Sequence, residues 1–228
     1  MDQNVLKMVN RMLLPVLVAV VIVAFFLMWG NRRAFTDRER QIIDRSDSVM
    51  YVTVLPLDSA LLRTPSMDLT ERELRSEELR TLVAKMLRTV QDPSQDGVGI
   101  AAPQVGIDKR VIWVQRFDKP GEPFECYLNP HLERLPGEVQ TGPEGCLSVP
   151  PMRGLVSRAG TVIVSYIHPE TLLHQRDTVR GYTAVIFQHE CDHLDGILYI
   201  DRADTLFVSE PWAAERLSFD YSRPAWWR

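Results

Sequence analysis

The sequence predicts an α+β fold that follows one transmembrane helix. Segments rich in β-branched and aromatic residues occupy the middle of the chain, and helical patterns lie on either side of them. The two kinds of segment do not alternate regularly, which argues against a doubly wound parallel sheet and favours antiparallel or mixed sheets. A separate apolar run near the N-terminus adds the membrane helix.

The apolar run covers residues 12–31 and contains no charged side chain. A helix of these twenty residues would rise about 30 Å, the thickness of a bilayer's hydrocarbon core. A cleaved signal peptide would have a shorter apolar region and small residues at its end, whereas this run ends near Met28 and Trp29. We therefore predict an uncleaved single-pass anchor after a short tail, residues 1–11. Arginines are more numerous after the run than before it, which favours a cytoplasmic position for the rest of the chain.

The composition excludes several classes of protein. The chain has 228 residues, 45% hydrophobic and 25% charged, which is typical of a globular protein and not of a disordered one. The formal net charge of −4 argues against a protein that coats nucleic acid, and we predict no specific nucleic-acid binding. Cys126, Cys146 and Cys191 are too few and odd in number for a disulfide framework, so they are free thiols or metal ligands.

The segments after the anchor can be assigned in order. Residues 32–48 are polar and charged, and they are typical of a linker or a short surface helix. A globular domain is predicted over residues 49–204. Within it, apolar residues at helical spacing predict an amphipathic helix over residues 76–91, and Thr70 with Glu73 forms a capping-box pattern for an earlier start.

The remainder of the domain is predicted to be mostly strands, followed by one further helix. That helix covers residues 182–194 and ends at Gly196. A C-terminal tail, residues 205–228, contains three of the chain's five tryptophans, and the sequence leaves open whether it docks on the domain or on a membrane surface. The predicted strands cover residues 110–117, 126–129, 138–141, 161–168 and 172–179.

The second helix carries the pattern H-E-x-x-H, at His189, Glu190 and His193. Residues four apart share one face of a helix, so both imidazoles can bind the same metal ion. Glu190 then faces a water molecule at the metal. The alternative is a chance match in a polar helix, which a five-residue pattern does not exclude by itself.

An open catalytic site also needs a third protein ligand. No histidine follows His193, so Glu210 and Glu215 are the downstream candidates. Upstream, Cys146 lies in a turn flanked by glycine, and its thiolate would be a strong ligand for iron, zinc or nickel. A lone cysteine is more often a small buried hydrophobe, so its residue type does not decide the matter. A further loop of small residues, 97–104, permits close approach of backbone to a ligand.

Three segments together resemble the peptide deformylase family. The family's patterns G-x-G-x-A-A-x-Q, E-G-C-L-S and Q-H-E-x-D-H-L-x-G are complete and in order at residues 97–104, 144–148 and 188–196. The resemblance spans residues 49–204 and implies an α+β fold with sheets around a central metal-binding helix. It also implies hydrolysis of the formyl group from formyl-methionine at the N-terminus of nascent peptides, with formate released. Together with the anchor, it implies a bacterial inner-membrane enzyme and leaves proximity to the ribosome open.

The resemblance implies roles for the residues at the metal. Cys146, His189 and His193 would hold the ion, usually Fe(II) in the family, with Zn(II) or Ni(II) as substitutes. Such an ion lowers the pKa of water. Glu190 would accept the proton of that water and later deliver it to the leaving nitrogen.

Other residues are expected to contact the substrate or to support the site. The Gln104 side chain and the Leu147 backbone N–H would stabilise charge on the former carbonyl oxygen. The Gly99 backbone would pair with the peptide, and Arg153 is either a steering residue for the peptide or a solvated surface arginine. The candidates for an apolar methionine slot are Val98, Tyr182, Val185 and Ile186.

Four residues are assigned to support rather than to chemistry. Asp192 is expected to face away from the metal and to pair with Arg158, by analogy with the family. Cys126 and Cys191 are expected to pack in the core or behind the ligands. Tyr182 is bulkier than the aliphatic residue often found at its position, which leaves the side-chain preference of the slot open.

Two alternatives come from other classes of protein. A metalloprotease of the H-E-x-x-H type would cut internal peptide bonds and would need a third ligand other than Cys146. A protein that keeps the deformylase fold but has lost catalytic activity would bind formyl peptides or a membrane partner without turnover. The complete motifs argue against this second alternative, whereas the anchor and the tryptophan-rich tail keep it open.

Overall fold

The computed structural model describes residues 35–54, 59–94 and 97–208. From Asp37 onward these residues belong to one compact unit. The predicted anchor, residues 12–31, and the part of the predicted tail after Val208 lie outside the described residues. Within the described ranges, no helix combines the length and the apolar character that a membrane crossing requires.

The strands in the described part of the chain form two antiparallel sheets. They are β1 (Gly99–Ala101), β2 (Val111–Gln115), β3 (Phe124–Arg134), β4 (Val139–Gly145), β5 (Met152–Ala159), β6 (Thr161–Ile167), β7 (His174–Arg180) and β8 (Thr205–Val208). The larger sheet has the order β1-β2-β3-β6-β7, and the smaller one has the order β4-β5-β8. Every pairing between neighbouring strands is antiparallel. The predicted α+β class with antiparallel sheets is therefore confirmed.

Most of the described helices are short. They are α1 (Asp37–Ile43), α2 (Ser59–Leu62), α3 (Glu71–Leu74), α4 (Glu77–Val90) and α5 (Gly181–Leu194), with two 3₁₀ turns at Ala102–Val105 and Tyr199–Asp201. The first lies inside the predicted linker, so part of that segment is a helix. Its last residue, Ile43, is fully buried, and the Lys85 ammonium on α4 donates to the Ile43 carbonyl at 2.7 Å.

The predicted capping box does not begin the predicted amphipathic helix, because it belongs to a separate, earlier helix. The capping box formed by Thr70 and Glu73 lies at the start of α3, and Arg75 is the C-cap of that short helix. The helix predicted over residues 76–91 begins separately, with Ser76 as its N-cap. The Ser76 hydroxyl accepts from the Leu79 N–H at 3.1 Å, which satisfies one of the free donors of the first turn.

Three strands were missed in the sequence: β1, which lies inside the predicted loop of small residues, β5 and β8. Along β5 the buried positions are held by Gly154, Val156 and Arg158, so the alternation of apolar and polar residues that marks a strand is hidden. Strand β8 is only four residues long and lies where the tail was predicted. Its pairing with β5 is a tertiary contact across about 50 residues of sequence, from Leu155↔Thr205 to Met152↔Val208.

Helix α5 runs through the centre of this arrangement. It contacts strands of both sheets, and ten of its fourteen residues are buried. Because it is covered on nearly all sides, it lacks the apolar and polar halves that identify α4. Its buried Phe187 and Cys191 belong to the main core, together with Val164 of β6 and Tyr127 of β3. Cys126 is also buried, so the packing role expected for both cysteines agrees with the fold.

Candidate active site

Three potential metal ligands converge at α5. Cys146, His189 and His193 each direct one ligand atom toward a common point, and these atoms all lie within 4.8 Å of one another. The two histidines are one helical turn apart, and their rings meet at 5.1 Å between centroids. Cys146 directly follows β4, so the smaller sheet places this residue beside α5. The structure therefore brings together the three predicted ligands.

The donor set fits a transition-metal ion. The Cys146 Sγ and His193 Nε2 atoms are 3.2 Å apart. Ligand atoms that share one tetrahedral ion at ordinary bond lengths are about 3.5 Å apart, so the spacing of this pair is close to that of two ligands on one ion. One thiolate and two imidazoles suit iron, zinc or nickel, whereas magnesium and calcium prefer oxygen ligands.

A tight turn places the sulfur atom. The Val149 N–H donates to the Cys146 carbonyl at 3.0 Å, which closes the turn after β4. The Ser148 N–H points at the Cys146 Sγ atom at 3.4 Å. This contact helps to fix the direction in which the sulfur atom points.

Glu144 fixes the orientation of His189, a role that we did not assign from the sequence. Its Oε2 atom lies 2.8 Å from His189 Nδ1, which leaves the other ring nitrogen for the ligand position. Arg158 holds the same carboxylate in a fork, at 2.7 and 2.9 Å. Burial opposes ionisation of Glu144, but the hydrogen bonds from Arg158 and His189 outweigh it and lower its pKa to about 2.

The predicted partner of Asp192 is also present. The Arg158 guanidinium, which holds Glu144, donates in addition to Asp192, whose side chain is only 1% exposed. Arg202 binds the same carboxylate through two bonds of 2.6 and 2.8 Å, and Arg134 approaches it at 3.4 Å. Asp192 thus lies at the centre of three arginines, of which the sequence had indicated Arg158 alone.

The side chain of Glu190 lies against the backbone of Gly99, which has no side chain. It is 4% exposed, and a side-chain carbon at Gly99 would come within 2.5 Å of its Oε1 atom. The close approach explains why a glycine is needed at this position of β1. Burial raises the pKa of Glu190 to about 7, where a carboxyl group can both accept and release a proton near neutral pH.

Gln104 directs its amide into the same space. The Ala101 N–H donates to the Gln104 Oε1 atom at 2.8 Å, which orients the side chain. The Nε2 atom then lies 3.5 Å from Cys146 Sγ and 3.4 Å from Ser148 Oγ. Leu147 lies in the turn between those two residues and is half-buried.

An apolar surface lies along α5 on the approach to His189. Tyr182 and Val185 are half-buried and share a helix face with His189, because residues three, four and seven apart align. Ile186 is 3% exposed and belongs to the core beneath them, against which half-buried Val98 also packs. The structure adds Phe117, whose ring lies 5.3 Å from that of Tyr182 and which was not among the predicted residues.

Arg153 lies close to the ligand turn. In the β4–β5 register it is directly opposite Gly145, the residue before Cys146. Its side chain runs along Gly145, within 3.8 Å of where a side-chain carbon would be. Arg153 therefore lies beside the turn that carries Cys146.

The comparison with known proteins agrees with these motifs. The polypeptide deformylase family profile matches residues 51–207. The chain is 36% identical over 156 residues to a peptide deformylase of Leptospira biflexa, covering 65% of this chain and 86% of that protein. It is 34% identical over 188 residues to a peptide deformylase of Synechocystis, covering 82% of this chain and 95% of that protein.

Solved structures give the same result. A class I type b peptide deformylase from Acinetobacter baumannii superposes with a TM-score of 0.61 and 38% identity, covering 68% of this chain and 99% of that one. The peptide deformylase of Thermotoga maritima superposes with a TM-score of 0.60 and 31% identity, covering 69% of this chain and 99% of that one. Motifs, fold and metal-ligand geometry therefore agree that the chain belongs to the polypeptide deformylase family and is an enzyme of that family.

Proposed function

We propose that this enzyme hydrolyses the N-formyl group of formyl-methionine at the N-terminus of nascent peptides and releases formate. The observation that carries the proposal is the convergence of Cys146, His189 and His193 beside the buried carboxyl group of Glu190. Among the related structures, one Acinetobacter baumannii deformylase contains the peptide Met-Ala-Ser, which supports a substrate with N-terminal methionine. The family match favours this function over a metalloprotease and over a non-catalytic binding protein.

The proposed chemistry uses a bound ion and three groups of the chain. A bound ion at the three ligands supplies Lewis acidity, which lowers the pKa of water. Glu190 accepts the proton from the attacking water and donates it to the departing nitrogen. The Gln104 amide and the Leu147 backbone N–H stabilise the charge that develops on the formyl oxygen, an effect worth about 3–4 kcal/mol for each donor.

Substrate binding is assigned to the surface around α5. Val98, Tyr182 and Val185, with Ile186 beneath them, form the apolar slot for the methionine side chain. The Gly99 backbone pairs with the peptide main chain, and Arg153 attracts the peptide's backbone or carboxyl end. The half-buried state of Tyr182 and Val185 supports this assignment, because a slot must stay partly open.

The decisive experiment is formate release from a formyl-Met peptide by metal-loaded protein. Replacing Glu190 by Gln removes the proton carrier and keeps the shape, so we expect a rate about 100- to 10,000-fold lower. The matched control is Glu133→Gln, a change to an exposed carboxylate paired with Arg176, which should keep the full rate. Absence of formate with the metal-loaded wild type would overturn the proposal.

Fe(II) is the proposed physiological metal, with Zn(II) and Ni(II) as substitutes. The mixed sulfur and nitrogen ligand set supports a first-row transition metal. Metal analysis of protein purified without oxygen tests the identity, and Cys146→Ser tests the ligand. If Cys146→Ser kept its full metal content and activity, a different third ligand, and with it the metalloprotease alternative, would be favoured.

Membrane anchoring through residues 12–31 is part of the proposal and rests on the sequence. The absence of charge over twenty residues and the excess of arginine after them support a single pass through a bacterial inner membrane, with the catalytic domain in the cytoplasm. That side of the membrane is where nascent chains and ribosomes are found. No specific nucleic-acid binding is proposed, since the formal net charge is −4.

Membrane fractionation and protease protection in sealed vesicles test the anchor. The full chain should sediment with membranes and resist extraction by high salt, whereas a variant without residues 1–31 should not sediment. A catalytic domain in the cytoplasm is digested in inside-out vesicles and protected in right-side-out vesicles. The reverse pattern would exclude ordinary nascent chains as substrates.

A further inference from the structure

Tyr199 contacts both segments that supply the metal ligands: helix α5 at His189, and the start of β5 after the Cys146 turn. It begins the 3₁₀ turn that follows α5, and the chain reverses before it at Gly196, whose φ of +72° suits glycine. This reversal brings the Tyr199 ring back beneath the helix, where it is only 1% exposed. The reversal thereby places Tyr199, ten positions after His189 in the sequence, in contact with the His189 ring.

The ring of Tyr199 stacks on His189. Their centroids are 6.0 Å apart and their planes differ by 22°. Glu144 holds one edge of the imidazole through Nδ1, but a single hydrogen bond leaves the ring free to tilt about that contact. A nearly parallel neighbour restricts the tilt, so the two contacts together define where the other ring nitrogen points.

The same residue also supports the Cys146 turn. The Tyr199 hydroxyl donates to the Met152 carbonyl at 2.5 Å, at the start of β5. The Met152 N–H donates to Val149, and the Val149 N–H donates to the Cys146 carbonyl. Tyr199 and Cys146 moreover belong to one buried apolar cluster.

We infer that Tyr199 is a positioning residue, which holds His189 and the Cys146 turn in the relative placement that one metal ion requires. Its ring acts on the histidine, and its hydroxyl acts on the strand that follows the cysteine. Glu144, two residues before Cys146, already connects these two segments, which are separated by more than 40 positions in the sequence. Tyr199 adds a second connection, through Met152, six residues after Cys146. The inference rests on the proposed metal site but not on the proposed substrate.

Metal binding without substrate is the test. We would measure Zn(II) affinity by competition with a chromophoric chelator, and the absorption spectrum of the Co(II)-loaded protein, which reports ligand geometry. For Tyr199→Leu, which removes both contacts, we expect affinity at least about 10-fold weaker, as is typical for groups that orient ligands, and an altered Co(II) spectrum. Tyr199→Phe keeps the ring and loses the bond to Met152, so its affinity should lie between those of Tyr199→Leu and the wild type.

Tyr127→Phe is the matched control. Tyr127 is also 1% exposed, and its hydroxyl bonds to Arg116 and Glu125 at 2.6 Å, so its loss removes a comparable buried hydrogen bond away from the ligands. This control should melt at a lower temperature but keep wild-type Zn(II) affinity. Equal losses of affinity in the control and in Tyr199→Phe would reduce Tyr199 to a general stability role and overturn the inference.

The remaining outcomes are also decisive. Wild-type affinity and an unchanged Co(II) spectrum in Tyr199→Leu would overturn the inference, and if that variant does not fold, an unchanged rate of Zn(II) release from Tyr199→Phe would do the same. Failure of the wild type to release formate while it binds Zn(II) would overturn the proposed function alone. A wild type that binds no metal would overturn both.

Discussion

Gly99 illustrates how one absent side chain shapes the site. It lies in β1, and the space that a side-chain carbon would fill is taken by the carboxyl group of Glu190. The backbone at this position is extended, so a larger residue would meet a steric conflict and no conformational strain. The loop of small residues was recognisable in the sequence, but what it approaches was not, because Glu190 comes from a segment about 90 positions away.

Replacing Gly99 by Ala should therefore reduce activity more than stability. The new carbon would lie 2.5 Å from Glu190 Oε1, so the carboxyl group must move away from its working position. Displacement of a catalytic group by about 1 Å can lower the rate about 100-fold. We expect such a loss in kcat/KM for formyl-Met peptides, together with a circular dichroism spectrum and metal content like those of the wild type. Full activity would show that Glu190 does not need its present position.

At the scale of elements, α4 formed where its periodicity predicted it. Leu79, Leu82 and Met86 are buried along one face, and the Trp113 indole N–H of β2 donates to the Val83 carbonyl at 3.0 Å. Both the apolar face and the cap at Ser76 are local features, which is why sequence alone identified them. Strand β5 lacks such a local signal, because its buried Arg158 is neutralised only by partners on other elements.

Loss of the N-cap of α4 should lower stability without affecting the site. Ser76→Ala leaves the Leu79 N–H without its side-chain acceptor, which costs about 1 kcal/mol. The free energy of unfolding in urea measures the loss, and Ser165→Ala on the exposed side of β6 is the control, with an expected change within about 0.5 kcal/mol. An equal effect of both substitutions would contradict the capping role.

At the scale of the whole molecule, Arg116 connects elements that are distant in sequence. Its guanidinium is 2% exposed and bonds to Asp118 after β2, to Tyr127 on β3 and to Asp177 on β7. Burial opposes ionisation of Asp118, but the hydrogen bond and charge of Arg116 outweigh it, so the pKa of Asp118 is lowered. The pKa of Glu125 is lowered as well, because hydrogen bonds from Tyr127 and Lys119 outweigh burial.

These lowered pKa values predict loss of stability in acid. Because the folded pKa values lie below the unfolded values of about 4, the contribution is fully present above pH 4 and is lost as the pH falls through the folded values. Arg116→Met should lower the free energy of unfolding by about 3 kcal/mol at pH 7 and flatten its decline as the pH falls below about 4. The control Arg176→Met removes an exposed arginine paired with Glu133 and should change stability by less than about 1 kcal/mol. An acid decline as steep in Arg116→Met as in the wild type would contradict this linkage.

A bound metal should also stabilise the whole domain, because its ligands come from both the smaller sheet and α5. An ion present at 100 times its Kd would contribute about 2.7 kcal/mol. We therefore expect removal of the metal with a chelator to lower the Tm, and we expect a smaller difference in Cys146→Ser. Equal Tm values for metal-loaded and stripped wild type would mean that the three ligands do not share an ion.

The sequence by itself determined the class of fold, helix α4, the H-E-x-x-H helix and, through three complete motifs, the family. Each of these depends on residues close together in the chain, so spacing and residue type suffice. Only the tertiary structure decided that Cys146 meets the histidines, that Glu144 and Tyr199 orient His189, and that Arg116 and Asp192 are centres of buried charge. Several of those contacts join residues far apart in the chain, such as Arg158 and Asp192 at 34 positions and Arg116 and Asp177 at 61. The partner of a charge or a ring is then fixed by strand register and helix packing.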